Sequence, residues 1–162
     1  MAEVKMEKYY QAYDKRYQQI HNLKLQWSSD VVTPILQELT VQFGIRKTDK
    51  ILEIGCGEGR DALWLLEQGY DILATDVSKE AISYCKKKNS KFSHLFFQLD
   101  VCEERLPQTF KFIYSISVIH MLVNQEDRNR FLTFIRDHLD EDGYGLILTM
   151  GDGEYEVTGD IT

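Results

Sequence analysis

Three short stretches of this sequence carry residue types whose order and spacing could do chemistry on a small ligand. The first is Glu53-Ile54-Gly55-Cys56-Gly57-Glu58-Gly59. Glycines at alternate positions remove Cβ obstruction, so the chain can turn sharply there and lie against a ligand. The second is Asp76, whose carboxylate can accept hydrogen bonds from two vicinal ribose hydroxyls. The third is Asp100-Val101. A carboxylate there can accept from an exocyclic amine, the next backbone N–H can meet a ring nitrogen, and the valine can cover the ring face. Each stretch is weak evidence alone; in this order they describe a nucleoside site.

The elements that would position them follow from hydrophobic patterning. Ile51 to Ile54 reads as a short strand, Gly55 to Gly59 as a turn, and about Arg60 to Gln68 as a helix closed by Gly69. Asp71 to Thr75 is the next strand, and Ser78 caps a helix that ends near Lys86, Lys87 and Lys88. Leu95 to Leu99 is a third strand and Phe110 to Ser117 a fourth. A helix runs from about Asn124, with Asp127 three residues on, to Leu139; Gly143 breaks it, and Tyr144 to Met150 is the fifth strand. Alternation of strand and helix predicts an α/β fold, a doubly wound, mainly parallel sheet with helices on both faces. Ligands of such sheets sit beyond the carboxyl ends of the strands, where the three stretches fall. Upstream, Tyr9, Tyr13 and Tyr17 lie on one helical face, and a helix is expected from about Asp30 to Phe43, with Pro34 in its first turn and Gly44 stopping it.

These segments resemble the motifs of class I S-adenosylmethionine (SAM)-dependent methyltransferases. Ile51 to Arg60 is similar to the family's motif I, an acidic residue followed by G-x-G-x-G. Ala74-Thr75-Asp76-Val77-Ser78 resembles the second motif, Leu99-Asp100-Val101 the third, and Ser115 to Leu122 the fourth. The similarity spans about Ile45 to Met150. It implies a Rossmann-like fold with strand order 3-2-1-4-5, SAM as cofactor, S-adenosylhomocysteine (SAH) as product, and methyl transfer as the reaction. It implies cofactor contacts from Glu53 (toward the methionyl ammonium), Gly55, Cys56, Gly57, Gly59, Asp76, Val77, Asp100, Val101 and Ser117. Residues 1–44 would form a helical lid in which Trp27 closes over the sulfonium and Arg16 pairs with the methionyl carboxylate; residues 45–162 would form the SAM-binding core. The family's sheet normally continues into strands six and seven. This chain ends twelve residues after Met150, so the expectation is a core truncated after strand five. Its bare edge would otherwise be covered by a second copy, giving a homodimer.

The rival with the same architecture is a nicotinamide dinucleotide-binding domain, whose fingerprint is G-x-G-x-x-G. Arg60 stands where that third glycine belongs, and Glu58 and Asp61 put negative charge where a pyrophosphate would sit. The glycine spacing and Glu53 favour SAM. Two further readings are a SAM- or SAH-binding module without catalysis and an interaction domain without cofactor.

Methyl transfer needs no covalent enzyme intermediate, and no convincing nucleophile–base pair is present. Cys56 is expected for its small size, and His120 is a candidate general base, although a packing role is commoner. Trp64 is expected in the core, and the tyrosine stripe reads first as helix packing. The formal charge of -7 argues against nucleic acid as partner. Three cysteines without a CxxC pair and four scattered histidines predict neither a disulfide framework nor a metal. No apolar run is long enough for a membrane span. A cytoplasmic enzyme acting on a small molecule is the resulting expectation.

Overall fold

Strands that are buried on both faces need apolar side chains on each, and the three central ones here supply them in Ile51, Leu52 and Ile54, Ile72 and Ala74, and Phe110, Phe112 and Ile113. The computed structural model describes residues 8–150. Its strands are β1 (Lys50–Ile54), β2 (Asp71–Asp76), β3 (Phe96–Gln98), β4 (Phe110–Ile116) and β5 (Leu139–Leu148). They form one five-stranded sheet of order β3-β2-β1-β4-β5 in which every pairing is parallel. Five helices accompany it: α1 (Tyr13–Asn22), α2 (Pro34–Gln42), α3 (Arg60–Glu67), α4 (Lys79–Lys88) and α5 (Gln125–His138). Short 3-10 turns cover Tyr9–Ala12, Ser90–Leu95 and Ile119–Met121. This is the doubly wound architecture and strand order that the sequence implies.

Side chains alternate between two cores, as the strand period requires. Ile51, Ala74, Phe112 and Tyr114 face a layer with Leu36, Leu65 and Cys85 from α2, α3 and α4. Leu52, Ile54, Phe110 and Ile113 face another with Phe131 and Phe134 from α5. Burying each large side chain contributes roughly 1.5–3 kcal/mol, which holds β1 in the middle of the sheet. Trp64 packs, partly buried, against the first of these cores.

Local chemistry sets the element ends. Ser78 Oγ accepts the Ala81 N–H at 3.0 Å and caps α4, and Lys86, Lys87 and Lys88 close its last turn against the dipole. Several details differ from expectation. α2 begins at Pro34 rather than Asp30, because Thr33 N–H and Oγ are drawn to Asp61 and the preceding chain stays extended. Asn124 occupies the N-cap position of α5 but makes no capping hydrogen bond. α5 stops at His138, and Leu139 already pairs with Phe110; the partner of Phe112 is then Tyr144. Residues 140–143 are therefore the irregularity, and a Cβ on Gly143 would lie 3.0 Å from the Asp140 carbonyl. Strand three is shorter than expected, its first residue Leu95 being taken by the preceding 3-10 turn. β5 has no partner strand on its outer side among the described residues, and Tyr144, Ile147 and Leu148 are each more than a third exposed.

Candidate functional site

The sheet reverses winding between β1 and β4, and a crevice at that switch point beyond the strand ends is the default ligand position. A cavity of about 490 Å³ lies there. Its floor is the turn after β1. Gly55, Gly57 and Gly59 all have positive φ, at 81°, 54° and 83°, which explains glycine at each. Space also forbids a side chain: a Cβ on Gly55 would sit 2.2 Å from Val118 Cγ2, and one on Gly57 would sit 2.8 Å from the Tyr17 hydroxyl. Gly55 N and Cys56 N both donate to the Thr75 carbonyl at 2.8 Å, tying the turn to β2.

Of the residues marked from sequence, Glu53, Gly55, Cys56, Gly57, Asp76, Val77, Asp100, Val101, Ser117, His120 and Trp27 all line this cavity. Gly59 is not on the wall. It is the N-cap of α3, and its would-be Cβ points at Cys85 Sγ (3.0 Å) and Phe96 (3.2 Å). Arg16 is also off the wall: its guanidinium lies on the rings of Tyr9 and Tyr13, 5.0 and 4.4 Å from their centroids. Its charge is spent on cation–π contact with these two rings.

Glu53 is the most unusual group on the wall. It sits in the central strand between Ala74 of β2 and Tyr114 of β4, 3% exposed. Its Oε2 has no hydrogen-bond partner. Burial, then the charge of Asp61, pushes its carboxyl up to about 8. Tyr114 lies beside it and partly opposes that rise, although its hydroxyl makes no well-formed hydrogen bond. Asp76 is better provided: Oδ2 accepts the Gly57 N–H and Oδ1 the Ser78 N–H, both at 2.8 Å. Burial still raises its carboxyl, with those two N–H groups opposing. It thus ties the glycine turn to the start of α4, and its oxygens keep lone pairs for further donors.

Cys56 is held protonated, first by its contact with the Cys85 thiol and then by burial. An unreactive thiol is what its small-residue reading requires. Ser117 has φ 60°, one of two such non-glycine residues among those described, and it lies on the wall where β4 ends. His120 Nδ1 lies 3.1 Å from Thr149 Oγ1, while its Nε2 is buried without a partner.

The roof comes from the N-terminal segment, and sequence reasoning missed how it is fastened. Tyr10 donates its hydroxyl to Asp100 at 3.1 Å, and Gln11 its amide at 3.2 Å. Asp14 of α1 accepts from Ser78 Oγ and the Glu80 N–H, both at 2.8 Å, at the head of α4. Glu58 accepts the N–H groups of Trp27 and Ser28 at 2.8 Å, the Ser28 hydroxyl at 2.9 Å, and pairs with His21 Nε2 at 2.9 Å. Burial would raise Glu58, but these donors together hold it below its usual range. Tyr10, Tyr13, Tyr17 and Trp27 thereby face the cavity, with Trp27 5.7 Å from Tyr17 and 6.2 Å from Tyr13 between ring centroids. Tyr9 remains outside in the preceding 3-10 turn, which breaks the simple stripe. The sole signal in the sequence was the concentration of aromatic residues before residue 30.

The cavity wall carries five carboxylates, from Glu53, Glu58, Asp61, Asp76 and Asp100, against one guanidinium, that of Arg60. It suits a ligand that combines cationic groups with hydrogen-bond donors. Among the described residues no cluster of metal-ligating side chains occurs, and no helix is long and apolar enough to cross a membrane.

Fold and crevice together define a doubly wound α/β protein with a ligand site at the switch point of its sheet. A family model for a methyltransferase domain matches residues 51–143, more than half of the chain, and the chain belongs to that family. It is 29% identical over 103 residues to a probable S-adenosyl-L-methionine-dependent methyltransferase, TehB, of Haemophilus influenzae; the match covers 61% of this chain and 35% of that protein. The chain thus spans about a third of the length of that relative. Among solved structures, a TehB-like SAM-dependent methyltransferase of Corynebacterium glutamicum superposes with a TM-score of 0.60 at 26% identity, over 91% of this chain and 76% of that one. The glycopeptide N-methyltransferase MtfA superposes with a TM-score of 0.67 at 21% identity, over 80% and 58%. That last likeness concerns the fold.

Proposed function

We propose that this chain binds SAM in the cavity after β1 and transfers its methyl group to a small-molecule acceptor. The observation that carries the reading is Glu53: a buried carboxylate with an unpartnered oxygen on the wall of a crevice that also presents Asp76 and Asp100. Ionising a buried carboxyl that lacks a donor is costly until a cationic ligand arrives, and SAM brings an ammonium and a sulfonium. In this reading Glu53 receives the methionyl ammonium, Asp76 the ribose hydroxyls, and Asp100 with Val101 the adenine, while Gly55 and Gly57 let the backbone come close. Asp100 has spare acceptor capacity beyond Tyr10, Gln11 and Cys102 N–H. The matching SAM-dependent relatives support the assignment.

When bound, SAM supplies an electrophilic methyl group on a positively charged sulfur, which becomes a neutral thioether as the acceptor takes the methyl. The protein's part is to orient and to exclude water. The aromatic roof of Tyr13, Tyr17 and Trp27 performs the exclusion. Ser117 and His120 lie on the wall beside it. If His120 Nδ1 donates to Thr149 Oγ1, Nε2 carries the lone pair, and in this reading it is the group that takes the acceptor's proton. An acidic wall and a net charge of -7 favour a neutral or cationic small acceptor over nucleic acid.

Isothermal titration with SAH tests the reading, with NAD⁺ as the contrasting ligand. Binding of SAH but not NAD⁺, weakened at least tenfold by Asp76→Asn, is expected. Binding of NAD⁺ in preference, or of neither ligand, would overturn it.

A further inference from the structure

His21, in the last turn of α1, has a carboxylate on each side of its ring. Nδ1 lies 2.9 Å from Glu80 Oε1 on α4, and Nε2 lies 2.9 Å from Glu58 Oε1 in the glycine turn. The ring is nearly enclosed, with 9% of its side chain exposed, and it stacks on Tyr84 at 4.3 Å between centroids, with Tyr17 at 5.9 Å. Carboxylate oxygens accept and do not donate. Both contacts are therefore hydrogen bonds only if both ring nitrogens carry hydrogen, or if a carboxyl carries it in place of one of them. In either form the clasp holds one proton more than a neutral ring between two ionised carboxylates. The C-terminal end of α1 favours the same added positive charge. Around the clasp stand Asp14 of α1, which accepts the Glu80 N–H, and Lys88 of α4, 5.5 Å from the centre of the Tyr84 ring.

The Glu58 oxygen that meets His21 also accepts the Trp27 N–H at 2.8 Å, and its other oxygen accepts from Ser28. Withdrawing the extra proton leaves a nitrogen lone pair facing a carboxylate across 2.9 Å, which pushes α1 away from α4 or from the glycine turn. We infer that His21 is a positioning residue for the roof: its doubly hydrogen-bonded clasp ties α1 to α4 and to the anchor of Trp27, and the roof loosens over the cavity when the extra proton leaves. Closure takes up a proton, so it is favoured at low pH and weakens as pH rises through the range in which histidine loses its charge. The inference goes beyond the SAM reading and holds for whichever ligand the cavity takes. Glu53, on the same cavity wall, acts with the opposite sign, because its ionised form is the one that receives a cation.

Glu80→Gln isolates the device. A glutamine amide can donate to Nδ1 while the neutral ring donates from Nε2 to Glu58, so the clasp closes without the extra proton. The ligand-free protein is followed by proton NMR through the indole N–H of Trp27, distinguished from that of Trp64 in a Trp64→Phe background, and through the ring signals of His21. Between about pH 6 and about pH 8.5 the wild-type Trp27 signal should shift in step with the His21 ring, and Glu80→Gln should lose that movement. His21→Gln, which cannot gain the proton, should lose it too and serves if Glu80→Gln fails to fold. A wild-type Trp27 signal indifferent to pH, or a shift that persists undiminished in these variants, would overturn the inference. Failure of the protein to bind SAH would instead overturn the SAM reading and leave this result standing, since no ligand is present.

Discussion

The protonation of Glu53 makes a quantitative prediction about ligand binding. With its carboxyl at about 8, against an ordinary value of 4.5, about 0.9 of a proton occupies it at pH 7 in the free protein. An ammonium placed against Oε2 favours the ionised form, because an opposite charge at contact distance brings a carboxyl down by roughly one to three pH units. Binding of SAH at pH 7 should therefore release about 0.4 to 0.9 proton, and the release should fall to about 0.1 by pH 9, where the free carboxyl is already ionised. The slope of apparent binding enthalpy against buffer ionisation enthalpy counts these protons directly. Glu53→Gln has nothing to release at this site, so its slope should drop toward zero as its affinity falls. Stability of the free protein follows from the same group. Its folded pKa lies above the unfolded one, so the folded state keeps the proton longer and stability declines as pH rises from about 4.5 to about 8. The full difference corresponds to at most about 5 kcal/mol. A wild-type slope below 0.3 proton at pH 7, or one that survives in Glu53→Gln, would refute the reasoning.

Other perturbations probe the floor and the roof. Gly55→Ala combines a positive φ with a Cβ 2.2 Å from Val118, so urea denaturation should show a loss of about 2–4 kcal/mol, part of it restored by Val118→Ala. Glu58→Gln turns an amide donor toward the N–H groups of Trp27 and Ser28, and hydrogen exchange of residues 24–30 should quicken about tenfold or more while the core stays protected. Tyr10→Phe removes the hydroxyl that reaches Asp100, and a stability loss of about 1 kcal/mol is expected in chemical denaturation. Trp27→Ala should weaken SAM, which carries a cationic sulfur, about 2- to 30-fold more than SAH, which does not; equal effects on the two would remove Trp27 from the sulfonium.

The floor of the site was legible in the sequence because its information is local. The glycine turn follows a strand of apolar period, and Asp76 and Asp100 mark the ends of the next two strands, so order along the chain translates directly into position along the sheet. The roof was not legible. Asp100 finds Tyr10 across ninety residues, Ser78 finds Asp14 across sixty-four, and Thr33 finds Asp61 across twenty-eight. No periodicity encodes such pairings. Glu58 and Asp61, legible as charges that disfavour a pyrophosphate, acquire their roles as anchors for the N-terminal segment once α1 and α2 are folded against them. Gly59 belongs to the motif, and its demand for glycine comes from its positive φ and from Cys85 and Phe96 in the core. The start of β5 was hidden for a further reason. Leu139 ends a helical pattern and begins a strand pairing at once, and the irregularity at residues 140–143 erases the alternation that would have announced it.

Where polar satisfaction fails is itself informative. Among the described residues three buried side-chain atoms lack partners: Glu53 Oε2, Tyr114 Oη and His120 Nε2. Two of these residues line one cavity, and the third is the cross-strand neighbour of Glu53. Elsewhere the same chain compensates its acids promptly. Asp49 takes both the Arg46 N–H and its guanidinium, which hold its carboxyl below the usual range. A fold able to satisfy Asp49 with a residue three positions away could have done so for Glu53, or placed an apolar residue in the central strand at lower cost. Local rules are broken at functional sites when a ligand restores the balance. The unpartnered carboxyl oxygen of Glu53 is thus the point on this wall at which a ligand's cationic donor would restore the balance.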